Sequence, residues 1–219
     1  MTHAYEVSRF LAGLMLLASF SLLCQDRLAA VLNTFAAQAV LLSMAVGWEA
    51  WTQDRPHLFI TAALALGLKA IIIPVALRRM VDRLGLTRGV DKVVGVGSTL
   101  MIGLALTSLA LLLVLRVTAS AESFTREGLA LALAIVLLGL LMMITRRSVV
   151  TQIVGFMSLE NGLILAATGA RGMPLVVEIS VAFSVLIALL VFGVFVFDIH
   201  DRFEGVGVEA IERVRGDRE

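Results

Sequence analysis

The chain has 219 residues, of which 59% are hydrophobic and only 16% are charged, and its formal net charge is +1. Soluble globular proteins average about 25% charged residues, so this composition excludes an ordinary soluble domain and indicates an integral membrane protein. No basic cluster is interleaved with aromatic residues, which argues against nucleic acid as a partner. Cys24 is the only cysteine, so an internal disulfide and a multi-cysteine metal or iron–sulfur site are excluded within this chain.

Seven apolar segments follow one another along the chain, separated by short polar or charged breaks. Each is long enough to cross a bilayer as a helix, which takes about 17–25 residues. The chain has only 3 prolines and few alternating apolar and polar runs, which favours helices over a β-barrel. The predicted fold class is therefore an all-α integral membrane protein with seven transmembrane helices, at residues 7–24, 28–51, 57–77, 95–116, 127–145, 149–169 and 174–197.

The distribution of Lys and Arg predicts the orientation of these spans. One side of the membrane, with the N-terminus and the loops after spans two, four and six, holds five of these residues, and the other side holds twelve. The positive-inside rule places the richer side in the cytoplasm. We therefore expect the N-terminus outside and the C-terminus in the cytoplasm.

Under this topology, polar residues in three of the spans are predicted to lie at a similar depth in the membrane. Gln38 in span two, Lys69 in span three and Glu160 in span six are all expected near the middle of the bilayer. An ionisable residue at that depth is costly unless it faces the protein interior, finds a partner or stays protonated. The sequence therefore predicts a lateral polar row inside the membrane. Glu178, near the outer end of span seven, is a further candidate.

Glu160 and Lys69 each allow several roles. Glu160 could carry protons, bind an ion, bond a neighbouring helix, or stay protonated without a role. Ion binding has weak support because the spans offer few other carboxylates. Lys69 could carry a proton or serve as a counter-ion, and its alternative is to extend its amine towards the membrane surface. Proton handling by Glu160, with Lys69 in the interior, is the favoured hypothesis.

A second group of residues is interpreted as structural. Asn161 is expected to bond a neighbouring helix, and Gly155 and Gly162 offer a small surface for close packing. Pro74 either loosens the helix beside Lys69 or is a tolerated membrane proline. The three histidines fall at span ends or tails, so no metal site is predicted.

The spans divide the chain into four regions. Residues 1–94 form a three-helix membrane unit with a basic cytoplasmic loop, and 95–117 form a linking helix. Residues 127–203 form a second three-helix unit, and 204–219 form a charged cytoplasmic tail. The two three-helix units share their orientation and place a polar residue in their second span, which leaves an internal duplication open.

The run RRSVVTQIVGFMSLENGLILAATG at 146–169, followed by a last span that begins with a proline, resembles the hydrogenase-4 component E family. The shared pattern is an Arg-containing turn and then a glycine, four residues and a Glu-Asn pair, here Gly155 to Asn161. The region 129–203 is also similar to subunit K of respiratory complex I and to the corresponding small subunit of the multisubunit cation/proton antiporters.

This resemblance implies a small membrane subunit of a hydrogenase or formate hydrogenlyase complex related to complex I, in the bacterial inner membrane. The partners implied are antiporter-like membrane subunits and a soluble arm that holds the nickel–iron and iron–sulfur centres. The chain itself would hold no cofactor and no catalytic centre. Glu160 matches the family's central glutamate, which in complex I is linked to the proton path.

Subunit K carries a second intramembrane glutamate in its last span, whereas here Glu178 lies at the start of that span and Ser184 occupies its interior.

Two other functions stay open: a subunit of a cation/proton antiporter without a redox partner, and a purely structural membrane anchor. A retinal-type receptor is disfavoured because Lys69 lies in span three, not in the last span.

Overall fold

The computed structural model describes residues 2–83, 93–117 and 123–169, and these residues form six helices without a strand. The third helix, α3, is continuous but has three consecutive parts, of which the middle one is π-helical. The bounds are α1 Thr2–Cys24, α2 Leu28–Thr52, α3 His57–Leu64 with Ala65–Ile72 and Ile73–Arg83, α4 Val96–Val117, α5 Ser123–Thr145 and α6 Val149–Gly169.

All six helices are long and apolar enough to cross a membrane, and they correspond to the first six predicted spans. The prediction of an all-α membrane protein is therefore confirmed. The seventh predicted span at 174–197, with Glu178, and the tail at 204–219 lie outside the described residues. By length and composition, the stretches that can cross a membrane are Tyr5–Cys24, Leu28–Thr52, His57–Asp82, Val96–Val117, Arg126–Thr145 and Val149–Thr168.

Two helical hairpins form the centre of the fold. Helices α1 and α2 pack against each other, as do α5 and α6, and the hairpins meet through α1 against α5 and α2 against α6. Helix α3 packs on α2, while α4 lies against α5 and α1. As a result α2 and α6 are neighbours of each other inside the bundle, and side chains at their middles can meet.

Three glycines allow α5 and α6 to approach until their backbones touch. A Cβ atom on Gly139 of α5 would lie 2.6 Å from the Leu159 backbone nitrogen, and one on Gly162 of α6 would lie 2.9 Å from the Ala132 carbonyl oxygen. Gly155 is slightly less tight, with the Gly139 oxygen 3.1 Å from such an atom. Close backbone contact of this kind is how helices associate in lipid, where no hydrophobic force drives them together.

Two clusters of buried apolar side chains fill the bundle. The first cluster lies around the end where the α1–α2 and α5–α6 turns meet, and the second lies towards the α2–α3 turn. The first cluster includes Leu22, Leu28, Phe35, Ile73, Leu77, Val154 and Met157. The second includes Met15, Leu42, Val46, Ala50, Leu58, Ala65 and Ile164.

Arg146, in the turn between α5 and α6, joins the two hairpins at the first-cluster end. Its side chain is 2% exposed, and its guanidinium donates to the carbonyl oxygens of Gln25, Leu22 and Leu23 at 3.1, 3.3 and 2.7 Å. The carbonyls of Leu22 and Leu23 belong to the last turn of α1, where carbonyl groups lack intrahelical partners, and Gln25 follows directly, so the cation caps the negative end of that helix. The sequence alone indicates Arg146 only as a charge that orients the chain.

Burial lowers the pKa of the Arg146 guanidinium, and the nearby Cys24 side chain opposes that shift. An arginine stays charged at neutral pH despite such a shift, because its ordinary pKa is so high. The cap on α1 is therefore a permanent charge. It is not a switch that opens with pH.

Replacement of Arg146 by Leu should destabilise the fold by about 3 kcal/mol, because several buried carbonyls lose a charged donor. Arg147→Leu, at the adjacent and exposed position, is the matched control and should change the free energy of unfolding by no more than about 0.5 kcal/mol. Reversible unfolding in mixed detergent micelles measures both. Equal effects of the two substitutions would contradict the capping role.

Candidate functional site

Lys69 lies in the π-helical part of α3 and is buried. The backbone N–H of Ile73 donates to the Leu68 carbonyl, five residues back, as in a π-helix. Pro74 follows directly; it has no N–H to donate to Ala70, and its ring would crowd that carbonyl in an ordinary α-helix. The widened turn before Pro74 thus has a local cause, and it places Lys69 in the bundle.

The amine of Lys69 contacts two side-chain oxygens on α6. Its Nζ lies 3.1 Å from Glu160 Oε2 and donates to Asn161 Oδ1 at 2.9 Å. The side chains of Lys69 and Glu160 are only 2% and 4% exposed. A cation of α3 and an anion of α6 therefore form an ion pair inside the bundle.

Gln38 connects this pair to the rest of the bundle. Asn161 Nδ2 donates to Gln38 Oε1 at 3.3 Å, and Gln38 Nε2 donates to Ser19 Oγ at 2.7 Å and to Ser158 Oγ at 3.0 Å. Ser19 Oγ in turn donates to the Met15 carbonyl at 3.0 Å. We call this connected set the polar layer; its side chains come from Ser19, Gln38, Lys69, Ser158, Glu160 and Asn161, on α1, α2, α3 and α6.

The polar layer lies between the two apolar clusters on every helix that contributes to it. Gln38, Lys69 and Glu160 each stand near the middle of their membrane-crossing stretch. With apolar side chains on both sides, the effective dielectric is low and charge interactions inside the layer are strengthened. The flanking residues are Met15 and Leu22 on α1, Phe35 and Leu42 on α2, Ala65 and Ile73 on α3, and Met157 and Ile164 on α6.

The structure brings together Gln38, Lys69, Glu160 and Asn161 of the residues selected from the sequence, and Glu178 lies outside the described residues. Sequence reasoning did not select Ser19 or Ser158 for the layer. Ser158 lies three residues before Asn161, which places both on one face of α6. That spacing was the available signal, but a lone hydroxyl in an apolar helix more often bonds its own backbone, as Thr107 does with Gly103.

A second polar group stands at the far end of the bundle. Ser8 and Gln53 donate to the two carboxylate oxygens of Glu49, at 2.6 and 2.5 Å. Between Glu49 and Gln38, α2 carries Leu42 and Val46 of the second cluster. The apolar cluster therefore separates this group from the polar layer.

The Lys69–Glu160 pair has a simple chemical property. An ammonium beside a carboxylate and an amine beside a carboxylic acid have the same net charge, zero, so a proton can shift within the pair without adding charge to the dry layer. Uptake of one more proton would leave a net buried charge, which is costly unless a neighbouring charge compensates. Among the described residues there is no group of three or more His, Cys, Asp or Glu that could hold a metal ion.

No family model matches the chain, and no solved structure matches it. A curated protein of Mycobacterium tuberculosis (strain ATCC 25618 / H37Rv), "Uncharacterized protein Rv0085", is 30% identical over 211 residues, which cover 94% of each chain. The chain belongs to the Rv0085 family. That name states no activity, so membership in the Rv0085 family carries no function to this chain, and its function is inferred from the polar layer.

Replacement of Lys69 by Met should destabilise the fold by about 3–5 kcal/mol, because it leaves the Glu160 carboxylate buried without its cation. Adding Glu160→Gln to that variant should recover part of the loss, since a neutral amide costs less to bury than an unpaired charge. Unfolding in mixed micelles measures the three proteins.

The exposed pair of Arg9 and Glu127, with side chains 54% and 45% exposed, is the matched control. Arg9→Gln should cost less than about 1 kcal/mol, as exposed ion pairs do. If the single Lys69 variant and the double variant are equally stable, the buried charge of Glu160 does not depend on Lys69.

Proposed function

We propose that the chain is a membrane-arm subunit of a complex-I-like hydrogenase, formate hydrogenlyase or related respiratory complex, and that it contributes to a proton-translocation axis in the middle of the membrane. The observation that carries this proposal is the contact of Lys69 with Glu160 in the polar layer. The sequence resemblance around Glu160 supplies the class of complex. The chain contributes no catalytic centre and no cofactor of its own.

The position of the pair supports a role in moving protons. Ionisable residues inside transmembrane helices are expensive and often mark proton or ion pathways. Here two of them face each other from different helices, and a proton can move between them without a change in net charge. A charge that arrives on a neighbouring subunit would bias the pair towards one of its two forms, and this bias would couple the subunits.

The proposal places the chain in the bacterial inner membrane with seven spans, the N-terminus outside and the C-terminus in the cytoplasm. The excess of Lys and Arg on one side of the predicted topology supports this orientation. The soluble arm with nickel–iron and iron–sulfur centres would therefore bind on the cytoplasmic side. Antiporter-like subunits would lie beside the chain in the membrane and continue the proton-translocation axis.

A structural anchor is the second candidate, and one observation favours it. The bonds of Asn161, Gln38 and Ser19 join three helices at one level, and Lys69 adds a fourth. A bonded layer of this kind fixes how far the helices can slide past one another. The two candidates differ in whether the carboxyl group of Glu160 is needed once the helices are in place.

Glu160→Gln should lower proton translocation by at least about tenfold, because the amide can bond but cannot give up or accept the proton. Electron transfer in the soluble arm should be largely intact. Acidification of inverted membrane vesicles, measured beside hydrogen evolution from the same vesicles, separates the two quantities.

Glu49→Gln removes a carboxyl group outside the polar layer and is the matched control, for which we expect unchanged translocation. Unchanged translocation in the Glu160 variant would reduce this residue to an anchor.

Affinity purification of the tagged chain from gently solubilised membranes of its own host should recover hydrogenase subunits together with antiporter-like membrane subunits. Nickel and iron in the purified material would support the hydrogenase assignment. Antiporter-like subunits alone, without nickel or iron, would indicate the cation/proton antiporter instead. Recovery of neither set would exclude both assemblies.

A further inference from the structure

We propose that Gln38 is a positioning residue, which acts through Asn161 to hold the Lys69 amine against Glu160. Its effect on translocation rests on the function proposed above, whereas its effect on the position of the amine does not. In the sequence alone, Gln38 is only one neutral polar group at the right depth. In the structure its hydrogen bonds connect it to Ser19, Ser158 and Asn161.

The orientation of the Gln38 amide follows from Ser19. A hydroxyl has one hydrogen to donate, and Ser19 gives it to the Met15 carbonyl four residues back in α1. Ser19 can then only accept from Gln38, so the NH₂ group of the amide must face it at 2.7 Å. The same NH₂ group donates its other hydrogen to Ser158. The carbonyl of α1 therefore determines which end of the Gln38 amide faces α6.

The orientation of the Asn161 amide follows in turn. With its NH₂ group committed to the two serines, Gln38 presents Oε1 to α6, and Asn161 Nδ2 donates to it at 3.3 Å. Asn161 must then present its oxygen to Lys69 Nζ, at 2.9 Å. If the amide of Asn161 were reversed, NH₂ would face the Lys69 amine, which is a donor, and Oδ1 would face Gln38 Oε1, which is an acceptor. Both contacts would be lost at once in a place where water cannot replace them.

The consequence for Lys69 is that its amine has two contacts on α6, a hydrogen bond to the Asn161 oxygen and an ion pair with Glu160. Lysine has a long and flexible side chain, so the ion pair alone leaves Nζ free to turn about that contact. The hydrogen bond to the neighbouring residue Asn161 defines its place. Gln38 thus influences the 3.1 Å distance between Nζ and the Glu160 carboxylate by setting the amide of Asn161.

The direct test measures the Lys69 Nζ to Asn161 Cγ distance by solid-state NMR with the full-length chain in lipid bilayers. Gln38→Met conserves the shape of the side chain but removes the acceptor, so the short distance should be lost. Gln38→Glu, in its neutral form, retains an oxygen for Asn161 Nδ2 and an O–H for a serine, so it should keep the distance short. Ser43→Ala, which removes another side-chain bond of α2, to the Ala62 carbonyl, is the control and should leave the distance unchanged. A short distance in the Gln38→Met protein would overturn the proposal.

A double-mutant cycle tests the same inference through function. Gln38→Met should lower translocation about tenfold in the native background and by less than about twofold in an Asn161→Leu background, because coupled residues are not additive. A merely structural role of Gln38 predicts the same loss in both backgrounds, and that result would overturn the proposal. If translocation does not respond to Glu160→Gln or Lys69→Met while the NMR distance still depends on Gln38, the proposed function fails and the positioning role stands.

Discussion

The ion pair of Lys69 and Glu160 sets the conditions under which the rest of the bundle is built. Two opposite charges in a dry interior are stable only when they meet each other and when their remaining bonds are satisfied. Both requirements recruit further helices: α3 brings the amine, α6 the carboxylate and Asn161, and α2 and α1 the groups that hold Asn161 in place. The two apolar clusters close the layer on either side and keep water away from it.

The helices are joined at the two ends of the bundle by side-chain contacts that do not belong to the polar layer. At the first-cluster end Arg146 binds the terminal carbonyls of α1, and at the other end Glu49 binds Ser8 of α1. Both links join segments that are distant in sequence. Side-chain contacts therefore join the helices on both sides of the polar layer. The relative positions of α1, α2 and α6 along the bundle do not depend on the ion pair alone.

Much of the fold could be predicted from the sequence, because a helix that crosses a bilayer needs about 20 consecutive and predominantly apolar residues. The common level of Gln38, Lys69 and Glu160 could also be predicted, since depth depends only on position within a span. The sequence did not predict the role of Arg146 or of Ser19. A span gives depth but not the direction in which a side chain points, and a hydroxyl or a guanidinium in a turn has too many possible partners.

The two partners of the ion pair lie on helices that differ in packing and in backbone hydrogen bonding. Cβ atoms at Gly139 and Gly162 would lie 2.6 and 2.9 Å from the facing backbone, so α6, which carries the carboxyl group, is packed closely against α5. Helix α3 is different: its lysine lies in a π-helical segment, a rare pattern of backbone hydrogen bonding that occurs mostly within α-helices. The acid of the ion pair therefore lies on a helix with close backbone contacts, whereas the amine lies on a widened helical turn.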